Sequence, residues 1–368
     1  MQIDKPFRIF GEAIDPAALK QFESAMRQSF VVRGALMPDA HVGYSLPIGA
    51  VVATREVIVP AWVGYDIGCG MCALPTTFAA KEVRKHASAI FEAIYRAVPV
   101  GFAHNGSDTP WPAGELLPRS SWLRRRFGED GLRQLGSLGS GNHFAEIGAD
   151  ETGRVWIVIH SGSRGIGHDT AAHYMRLAAC SSMAEEGHHS LSTHSIEGRA
   201  YIEDLAFCLA FALENRQEMM RRIVASIAGH VRGDGLWREL INRNHNHAEL
   251  KDGLWIHRKG ATHAEAGMPG VIPGNMRDGS FIVRGKGNPE SLCSSSHGAG
   301  RRLGRREAKR HLHLHDFAAA MQGIAARVGG ATLDEAPAAY KDIFAVMALQ
   351  RDLVEVVAHV RPMVNIKG

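Results

Sequence analysis

The sequence predicts an α+β fold, with one compact domain over residues 1–368 and mixed β-sheets around a central cleft. Segments with strand patterns and segments with helix patterns follow one another without the regular alternation of a doubly wound sheet. No repeat and no clear linker divides the chain. The 20 histidines and 40 glycines gather in short blocks, which is typical of backbone that approaches a ligand closely.

The first half of the chain carries helical and extended patterns in turn. Apolar residues at helical spacing, a β-branched run and a stretch rich in glycine, proline and serine are the signals. They predict helices over residues 16–29 and 79–97, a strand or tight hairpin over 50–59, and a long loop over 102–121.

The second half opens on an apolar strand that runs directly into a glycine-rich block. The longest helical pattern of the chain follows a polar, loop-like stretch. The predicted strands are Val155–His160, Leu254–His257 and Phe281–Arg284, the loop is 181–198, and the helices are one from about Asp169 and others over 199–230, 316–328 and 334–359.

Composition excludes several classes of protein. Hydrophobic residues make up 45% of the chain and charged residues 22%, as in ordinary globular proteins. The N-terminus lacks a signal-peptide pattern, and no apolar run approaches the roughly 20 residues that span a bilayer. Five cysteines in a chain this long are no disulfide framework. We therefore expect a cytoplasmic protein with reduced thiols and no membrane partner, whose net charge of +4 permits a polyanionic one.

Two blocks near the N-terminus carry candidate ligand groups: MPDAHVGYSLPIG (37–49) and GYDIGCGMC (64–72). Asp66 and Cys69 stand three residues apart between glycines, and a carboxylate and a thiolate on one turn suit a borderline divalent cation. The alternative is a zinc or redox pair of Cys69 with Cys72. A lone CxxC is a weak signal, and a buried, inert Cys72 fits the pattern better.

Three further blocks place histidine beside glycine or asparagine: GSGNHFAE (139–146), HSGSRGIGH (160–168) and NHNH (244–247). A single histidine of this kind would usually be a hydrogen-bonded core residue. Together with the Asp-x-x-Cys turn, the three blocks predict a metal centre. Carboxylate, thiolate and imidazole ligands suit Mn, Fe, Co or Zn better than Mg or Ca.

The block SSSHGAGRRLGRR (294–306) places His297 between small residues. Neutral imidazole is basic enough near pH 7 to act as a nucleophile at phosphorus. The basic run 301–310 is either a solvated helix face or a phosphate-binding surface, and the adjacent His297 favours phosphate. The chain has no Walker A sequence, so a P-loop would not hold a nucleotide. The alternating histidines of 311–315 fit an edge strand or loop better than a metal tract.

Taken together, these blocks resemble those of the RtcB family of RNA ligases. The resemblance extends to HRKGATHAEAGMPGVIPGNM (257–276), GSFIVRGKGN (279–288) and the terminal VNIKG (364–368), all in family order. That order is more specific than any single motif. It implies the compact α+β fold of that family and RNA ligation that depends on GTP and manganese.

The resemblance also implies two manganese ions per chain that share the thiolate of Cys69. Asp66 and His143 would complete the coordination of the first ion, and His160 and His245 that of the second. The ions would lie where the glycine-flanked blocks meet.

His297 matches the histidine that becomes guanylylated by GTP. The guanylate would then pass to an RNA 3′-phosphate, and a 5′-hydroxyl end would displace GMP. A 2′,3′-cyclic phosphate would first be opened by water. The residues that match the guanylate pocket are Asn142, His143, Phe144, Ala145, Glu146, His245, Asn246, Pro273, Gly274, Asn275, Met276, Ser280, His297, Gly298, Ala299, Gly300 and Lys367. Those that match RNA-phosphate contacts are Arg164, Arg301 and Arg305, with Lys259 as a weaker candidate.

The chain departs from the family pattern where Asn275 and Arg277 replace small residues. We expect Arg277 to crowd or recharge the base pocket and so to change the nucleotide preference. Two other functions stay open: a two-metal phosphoesterase that needs no nucleophilic histidine, and a non-enzymatic RNA-end binding protein that needs no metal ligands. We expect a monomer, and the need for an activating protein is open.

Overall fold

The computed structural model describes residues 3–12 and 14–368. The α-helices are α1 (Pro16–Met26), α2 (Pro60–Val63), α3 (Ala80–Lys85), α4 (Ala87–Ala97), α5 (Pro112–Glu115), α6 (Ser121–Gln134), α7 (Arg164–Ala179), α8 (Ile196–Ala228), α9 (Arg305–His311), α10 (Leu314–Ala320) and α11 (Ile343–Ala348). Short 3₁₀ turns cover Trp237–Glu239, Pro289–Ser291, Gly330–Glu335 and Pro337–Ala339. No helix in the described ranges is long and apolar enough to cross a membrane.

The strands are mostly short and lie in all parts of the chain. They are β1 (Phe7–Ile9), β2 (Val31–His41), β3 (Ile48–Thr54), β4 (Val57–Ile58), β5 (Gly70–Ala79), β6 (Phe144–Ala149), β7 (Arg154–Ser161), β8 (Leu191–Ser192), β9 (Ile241–Asn244), β10 (Asn246–Lys251), β11 (Leu254–Lys259), β12 (Ala261–His263), β13 (Pro269–Pro273), β14 (Ser280–Gly285), β15 (Ser294–Ser296), β16 (Ala325–Ala326) and β17 (Val354–Lys367). Their mixture with helices confirms the α+β class.

An eight-stranded sheet forms the centre of the fold. Its strands run in the order β13-β14-β17-β6-β7-β5-β9, with β16 paired to β17 beside this path. The end strands β13 and β9 contact each other, so the sheet curls into a barrel-like wall that encloses Met71, Phe144 and Val158. A five-stranded sheet has the order β1-β2-β3-β11-β10, and β12-β15 and β4-β8 are two-stranded ribbons.

Helices α4 and α8 cover the outer face of the central sheet. Helix α8 begins where the hydroxyl of Ser195 accepts a hydrogen bond from the N–H of Gly198, a usual N-cap. Its residues Met219 and Ile223 are fully buried and pack in one cluster with Ile157 of β7. Because β7 is continuously apolar from Val155 to Ile159, it can be buried on both faces.

Antiparallel pairing brings several strand ends to one rim of the central sheet. His160, near the end of β7, pairs with Met71 of β5 and with Phe144 of β6. At the same rim Gly70 pairs with Asn244, the last residue of β9. Neighbouring antiparallel strands run in opposite directions, so the start of one strand lies beside the end of the next. The starts of β5 and β6 and the ends of β7, β9 and β17 therefore meet at this rim.

The largest error of the sequence-based prediction lies at the C-terminus. Residues 334–359 are not one helix: α11 covers only six of them, and β17 begins at Val354. β17 pairs with β14 on one side and with β6 on the other. These partners lie far away in sequence, so tertiary pairing outweighs the local helical spacing of the apolar residues. The helix expected over 316–328 ends at Ala320, and β16 follows within that range.

The other helices and strands that were predicted are present with altered ends, whereas β2, β5, β6 and α6 were not predicted. Helix α1 stops three residues early, the helix expected over 79–97 is broken at His86, and α7 begins at Arg164 instead of Asp169. The loop at 102–121 contains the short helix α5. The three-residue difference at α1 is of the size usual for boundaries predicted from a single sequence, and the five-residue difference at α7 exceeds it.

Candidate active site

Five side chains converge at the rim of the central sheet. Asp66 and Cys69 lie on the turn between α2 and β5, and His143 directly precedes β6. His160 is close to the end of β7, and His245 lies between β9 and β10. All five were predicted as metal ligands, and the rim explains how blocks so distant in sequence come together.

The ligand atoms form a continuous series of contacts. Asp66 Oδ2 lies 2.9 Å from His143 Nε2, which lies 3.5 Å from Cys69 Sγ. Cys69 Sγ lies 3.1 Å from His160 Nε2, and the Nε2 atoms of His160 and His245 are 3.2 Å apart. The Cys69 thiol is therefore the middle member of the series, with Asp66 and His143 on one side and His160 and His245 on the other.

The proton positions of these groups suit a cation. His143 Nδ1 lies 2.9 Å from the carbonyl oxygen of Leu138, and His160 Nδ1 lies 3.2 Å from that of Asn142. The Nδ1 of His160 therefore carries the proton, and its Nε2 directs a lone pair at the cluster. His143 Nδ1 also lies 3.3 Å from Nη1 of Arg164, and its Nε2 faces the Asp66 carboxylate. Burial, and secondly the neighbouring His143, lower the pKa of His160 well below its ordinary value, so the ring is neutral.

The thiol of Cys69 and the carboxyl of Asp66 would also be stabilised in their ionised forms by a nearby positive charge. Burial, and then the carboxylate of Asp66, raise the pKa of the Cys69 thiol, so a thiolate there needs a cation beside it. Burial opposes ionisation of Asp66, but the nearby His143 outweighs it and lowers the pKa of the carboxyl. Imidazole, thiolate and carboxylate donors within contact distance fit a divalent transition metal.

A buried arginine on α8 holds the turns that carry these ligands. Arg216 donates hydrogen bonds of 2.8 Å to the carbonyl oxygens of Gly68 and Ser161. It also donates to the side-chain oxygens of Asn242 at 2.7 Å and Asn244 at 2.6 Å. Since these partners neighbour Cys69, His160 and His245 in sequence, one guanidinium fixes three of the five ligands.

A cavity of about 300 Å³ opens beside the cluster. It lies at the same rim, between the start of β6, the ends of β13 and β17, and the loop that follows β15. The predicted pocket residues that line it are Asn142, Phe144, Glu146, Pro273, Gly274, Asn275, Met276, His297, Gly298, Ala299, Gly300 and Lys367, together with Arg301 and Arg305.

Strand alternation on β6 decides which side chains face the cavity. Phe144 and Glu146 face it, whereas Ala145 packs into the core on the other side of the sheet. Burial raises the pKa of Glu146 to about 8, although hydrogen bonds from Ser280 and Asn365 oppose the rise. The cavity therefore presents a buried carboxyl group at one end.

A charged cluster closes the same end of the cavity. Lys367 Nζ lies 2.6 Å from Glu335 Oε2 and donates to the carbonyl oxygen of Asn142 at 3.2 Å. Arg301 and Arg305 contact the other oxygen of Glu335, at 3.0 and 2.5 Å. Lys367, followed by Arg305, outweighs the effect of burial and lowers the pKa of Glu335 to about 2. Glu335 is thus a carboxylate that orients three cations.

His297 lines the opposite part of the cavity and is held by Asp39. Its Nδ1 lies 2.7 Å from Asp39 Oδ2, and the same oxygen accepts hydrogen bonds from the backbone N–H groups of His297 and Gly298. Burial opposes the charge on Asp39, but His297 outweighs it and lowers the pKa of the carboxyl. The ring of His41 lies parallel to that of His297, with centroids 6.3 Å apart. Gly300, at φ +74°, allows the loop to pass close to the Asp39 backbone.

Besides Ala145, four predicted pocket residues lie beside the cavity instead of lining it. The ring of His245 meets that of His297 with centroids 4.9 Å apart, while His143 faces the other side of the cluster. Asn246 donates to the carbonyl oxygen of Asp66 and accepts from Gly260 N–H. Ser280, as noted, contacts the cavity only through Glu146.

Two cationic side chains differ in position from what the sequence suggested. Arg277 does not line the cavity; it contacts Asp278 at 2.7 Å and lies on the surface. Crowding of the cavity by Arg277 is therefore a wrong expectation, and only Asn275 of that pair reaches it. Lys259 is buried and donates to the carbonyl oxygen of Ala61, with a pKa that burial lowers to about 8.

Sequence reasoning missed several residues of the site. Asp39 stands inside the MPDAH block, where its spacing from His41 gave no sign of a distant histidine partner. Glu335 lies in a segment with no motif, as does Tyr340, which lines the cavity and donates its hydroxyl to Glu335. Arg216 lies within an ordinary helical pattern. The signal that could have found Arg216 is a charged residue on the apolar face of a long helix.

Comparison with known proteins gives a consistent result. A profile described as tRNA-splicing ligase RtcB matches residues 21–117 and 112–368. RNA-splicing ligase RtcB of Escherichia coli K12 is 36% identical over 397 aligned positions, which cover 97% of this chain and 96% of that protein. tRNA-splicing ligase RtcB of Aeropyrum pernix is 31% identical, with 96% and 92% covered. RNA-splicing ligase RtcB homolog 1 of Entamoeba dispar is 27% identical, with 96% and 82% covered.

The chain has an α+β fold with a ligand cluster beside a cavity, and it matches its relatives over most of their length. These findings define an RNA ligase with metal-dependent catalysis. The chain belongs to the RtcB family.

Proposed function

We propose that this protein joins RNA 3′-phosphate or 2′,3′-cyclic phosphate ends to 5′-hydroxyl ends, using GTP, manganese and a guanylylated His297. The observation that carries the proposal is the contact of 2.7 Å between His297 Nδ1 and the buried Asp39 carboxylate. A proton held on Nδ1 leaves the lone pair on Nε2, in a ring that lines the cavity. This is the tautomer that a histidine nucleophile requires.

The five-residue cluster is proposed to hold two manganese ions. Asp66 and His143 would bind the first, His160 and His245 the second, and the thiolate of Cys69 would bridge them. The central place of Cys69 in the series of contacts supports this division. When bound, the ions neutralise charge on the triphosphate and on the RNA phosphate.

The cavity beside His297 is proposed to bind GTP. Glu146 and Lys367 would receive the guanine, because a carboxyl acceptor and an ammonium donor lie at one end of the cavity. Phe144, over whose ring Lys367 Nζ lies at 5.5 Å, offers a flat surface for the base. The small residues Gly298 and Ala299 leave room for phosphate beside His297.

The reaction follows from this arrangement in three transfers. Nε2 of His297 attacks the α-phosphorus of GTP, and pyrophosphate leaves. The RNA 3′-phosphate then takes the guanylate from His297. Finally the 5′-hydroxyl attacks the activated 3′-phosphate and GMP leaves. A 2′,3′-cyclic phosphate is first opened by water to a 3′-phosphate.

Arginines are proposed to bind the RNA phosphates. Arg301 and Arg305 are engaged by Glu335, so they offer only part of their donors to a ligand. Arg164 has no carboxylate within salt-bridge distance among the residues described, and its Nε is buried without a hydrogen-bond partner. We therefore assign Arg164 the larger role in binding RNA phosphate. Lys259 is buried and hydrogen-bonded, and we assign it no contact.

Mass spectrometry of the intact protein after incubation with GTP and manganese tests the proposal. We expect an adduct of one GMP on His297 that survives alkali and is lost in acid, as a phosphoramidate is. His297→Ala should lose the adduct and the joining reaction but keep its metal. His315→Ala, which changes a histidine with a 93% exposed side chain, is the matched control and should be unaffected. An adduct in His297→Ala, or joining without any adduct, would contradict the proposal.

A second experiment addresses the role of Asp39. Asp39→Asn removes the acceptor that fixes the His297 tautomer, so the rate of guanylylation should fall by roughly 10²–10⁴-fold. The affinity for GTP should change far less, because Asp39 does not line the cavity. An Asn variant that guanylylates at the normal rate would show that another group sets the tautomer.

A further inference from the structure

A second pocket reaches the metal-ligand cluster from the side away from His297. It is lined by Asp66 and His143, and the cavity that contains His297 shares no lining residue with it among the residues described. In the series of ligand contacts, His245 is nearest to His297 and Asp66 is at the far end. The cluster is therefore open on two opposite sides.

Two carboxylates, Asp66 and Asp130, line this second pocket together with two guanidinium groups, Arg126 and Arg164, and only Arg164 offers a donor to an anion. Arg126 also lines it, but Asp130 and Asp169 each lie 2.6 Å from its guanidinium and neutralise it. Arg164 has no such partner, as described above, and its buried Nε is free to donate. Nη1 of Arg164 lies 3.3 Å from His143 Nδ1, so a phosphate bound between Arg164 and the ligand cluster would use chiefly the Nε donor, which has no partner.

Aromatic rings surround the mouth of the same pocket, with Tyr65 partly buried and Tyr44, Phe102 and His168 exposed. Tyr65 and His168 stack with ring centroids 4.9 Å apart and planes at 22°. Tyr44, with 69% of its surface exposed, packs edge-on against Tyr65 at 6.5 Å, and Phe102 is 94% exposed. Accessible aromatic rings beside a guanidinium group are a usual means of binding single-stranded nucleic acid, since every base has a face on which to stack.

The chemistry of joining decides which strand this surface receives. In the last transfer the 5′-oxygen forms a bond to the phosphorus of the 3′-phosphate, and the bond from phosphorus to the bridging oxygen of the guanylate breaks. GMP leaves with that electron pair, and the hydroxyl proton passes to solvent. Attack and departure are in line, so the hydroxyl must approach from the side opposite the guanylate. With the guanylate in the His297 cavity, that side is the second pocket.

We propose that the stacked pair Tyr65–His168 is the platform for the first base of the 5′-hydroxyl strand, with Arg164 at its phosphate. This inference rests on the proposed function, because it takes the His297 cavity to hold the guanylate. Phe102 extends the surface for the following base. The other strand, which ends in the 3′-phosphate, does not use this platform.

The three transfers can be measured separately, which isolates the platform. Tyr65→Leu and His168→Ala should guanylylate His297 and activate a 3′-phosphate strand within about twofold of the unchanged protein. The KM for a short 5′-hydroxyl strand should rise roughly 10-fold in each, because stacking of one base on an aromatic ring contributes about 1–3 kcal/mol. Tyr65→Phe keeps the ring and should restore the KM. Trp237→Ala removes a partly exposed ring at the other end of β5 and is the control.

A binding measurement makes the result independent of ligation. A 5′-hydroxyl oligonucleotide with 2-aminopurine as its first base should lose fluorescence on binding the unchanged protein and lose much less with His168→Ala. Failure of the unchanged protein to ligate would defeat the proposed function, whereas ligation with a normal KM in both variants defeats only the platform. Equal losses of guanylylation and joining, with reduced metal content, would show that these rings act through Asp66. A full fluorescence response in both variants would assign the aromatic surface to another macromolecule and overturn the inference.

Discussion

Two clusters of histidines and acids lie on either side of Asn246, and only one of them has the features of a metal centre. His245 points into the series of ligand contacts around Cys69. His247, two residues later on β10, points into a second cluster with Glu249 and His263. The two groups contain similar residue types and are both largely buried, so the residue types alone do not distinguish them.

The second cluster already contains its own cation. The guanidinium of Arg258 is fully buried, contacts Glu249 and donates to Nε2 of His247 at 3.2 Å. Glu265 lies 3.8 Å from the same guanidinium and 3.2 Å from His263. The rings of His247 and His263 stack beside this guanidinium, with centroids 4.8 Å apart and planes at 17°.

The comparison shows that unused lone pairs, more than residue types, mark a metal site. In the first cluster the Nε2 atoms of His143, His160 and His245 face one another and a thiol, with no internal cation between them. In the second cluster Arg258 uses the acceptors. It also donates to Ser294 Oγ at 2.8 Å, on the strand that leads to His297, so the second cluster has a structural role.

The largest expected effect separates the two clusters directly. Cys69→Ala should lose both of the proposed metal ions and essentially all joining activity, because removal of the proposed bridging ligand would disrupt both coordination spheres. His247→Ala should keep both ions. The measurement is metal content per chain after dialysis against manganese, with His245→Ala expected to weaken mainly one ion. Full metal occupancy in Cys69→Ala, or loss of an ion in His247→Ala, would remove the distinction between the clusters.

A smaller effect is expected from the cation of the second cluster. Arg258→Met keeps the volume but leaves Glu249 without its partner, so the free energy of unfolding should fall by about 3–5 kcal/mol, measured by urea denaturation. With the guanidinium gone, added zinc should raise the denaturation midpoint of the variant and leave that of the unchanged protein as it was. Arg238→Met, at an exposed position, is the matched control and should change stability little. A midpoint that zinc does not move would show that the stacked rings by themselves prevent coordination.

The smallest effect is a dependence of stability on pH that belongs to the second cluster. Burial opposes ionisation of Glu265, but His263, then Lys251, outweigh it and lower the pKa to about 2, below the ordinary value of 4.5. The stabilisation is therefore complete above about pH 4.5 and is lost as pH falls through about 2. Urea midpoints measured over that range should decline, and Glu265→Gln should flatten the decline. An equal decline in the variant would assign the effect to other carboxylates.

Much of the site could be predicted from the sequence because each block is local. Asp66 and Cys69 are presented by one glycine-flanked turn, and His297 stands between small residues on a single loop. Such patterns need no knowledge of distant partners. Such knowledge is needed to place Asp39 and Glu335 in the site, and to tell that His245 and not His247 faces the ligand cluster. Each of these facts depends on residues more than ten positions away.

The fold divides in the same way. Helix α8 and strand β7 follow from their own spacing of apolar residues, and both were predicted close to their observed ends. The C-terminal strand β17 did not follow from its own sequence, because its apolar residues have helical spacing. Pairing with β6 and β14 outweighs that local preference. Pairing with two neighbours fixes β17 in the sheet and carries Lys367 to the cavity.

The sequence by itself therefore determined the α+β class, the family resemblance, the five candidate ligands and the candidate nucleophile, because each is written in short contiguous blocks. Only the tertiary structure decided that Asp39 contacts His297 and which cations contact Glu335. It also decided that Arg277 lies on the surface and that the guanidinium of Arg258 lies within the second cluster. The physical reason is that charge pairing, burial and lone-pair direction act through space between strands that lie far apart along the chain.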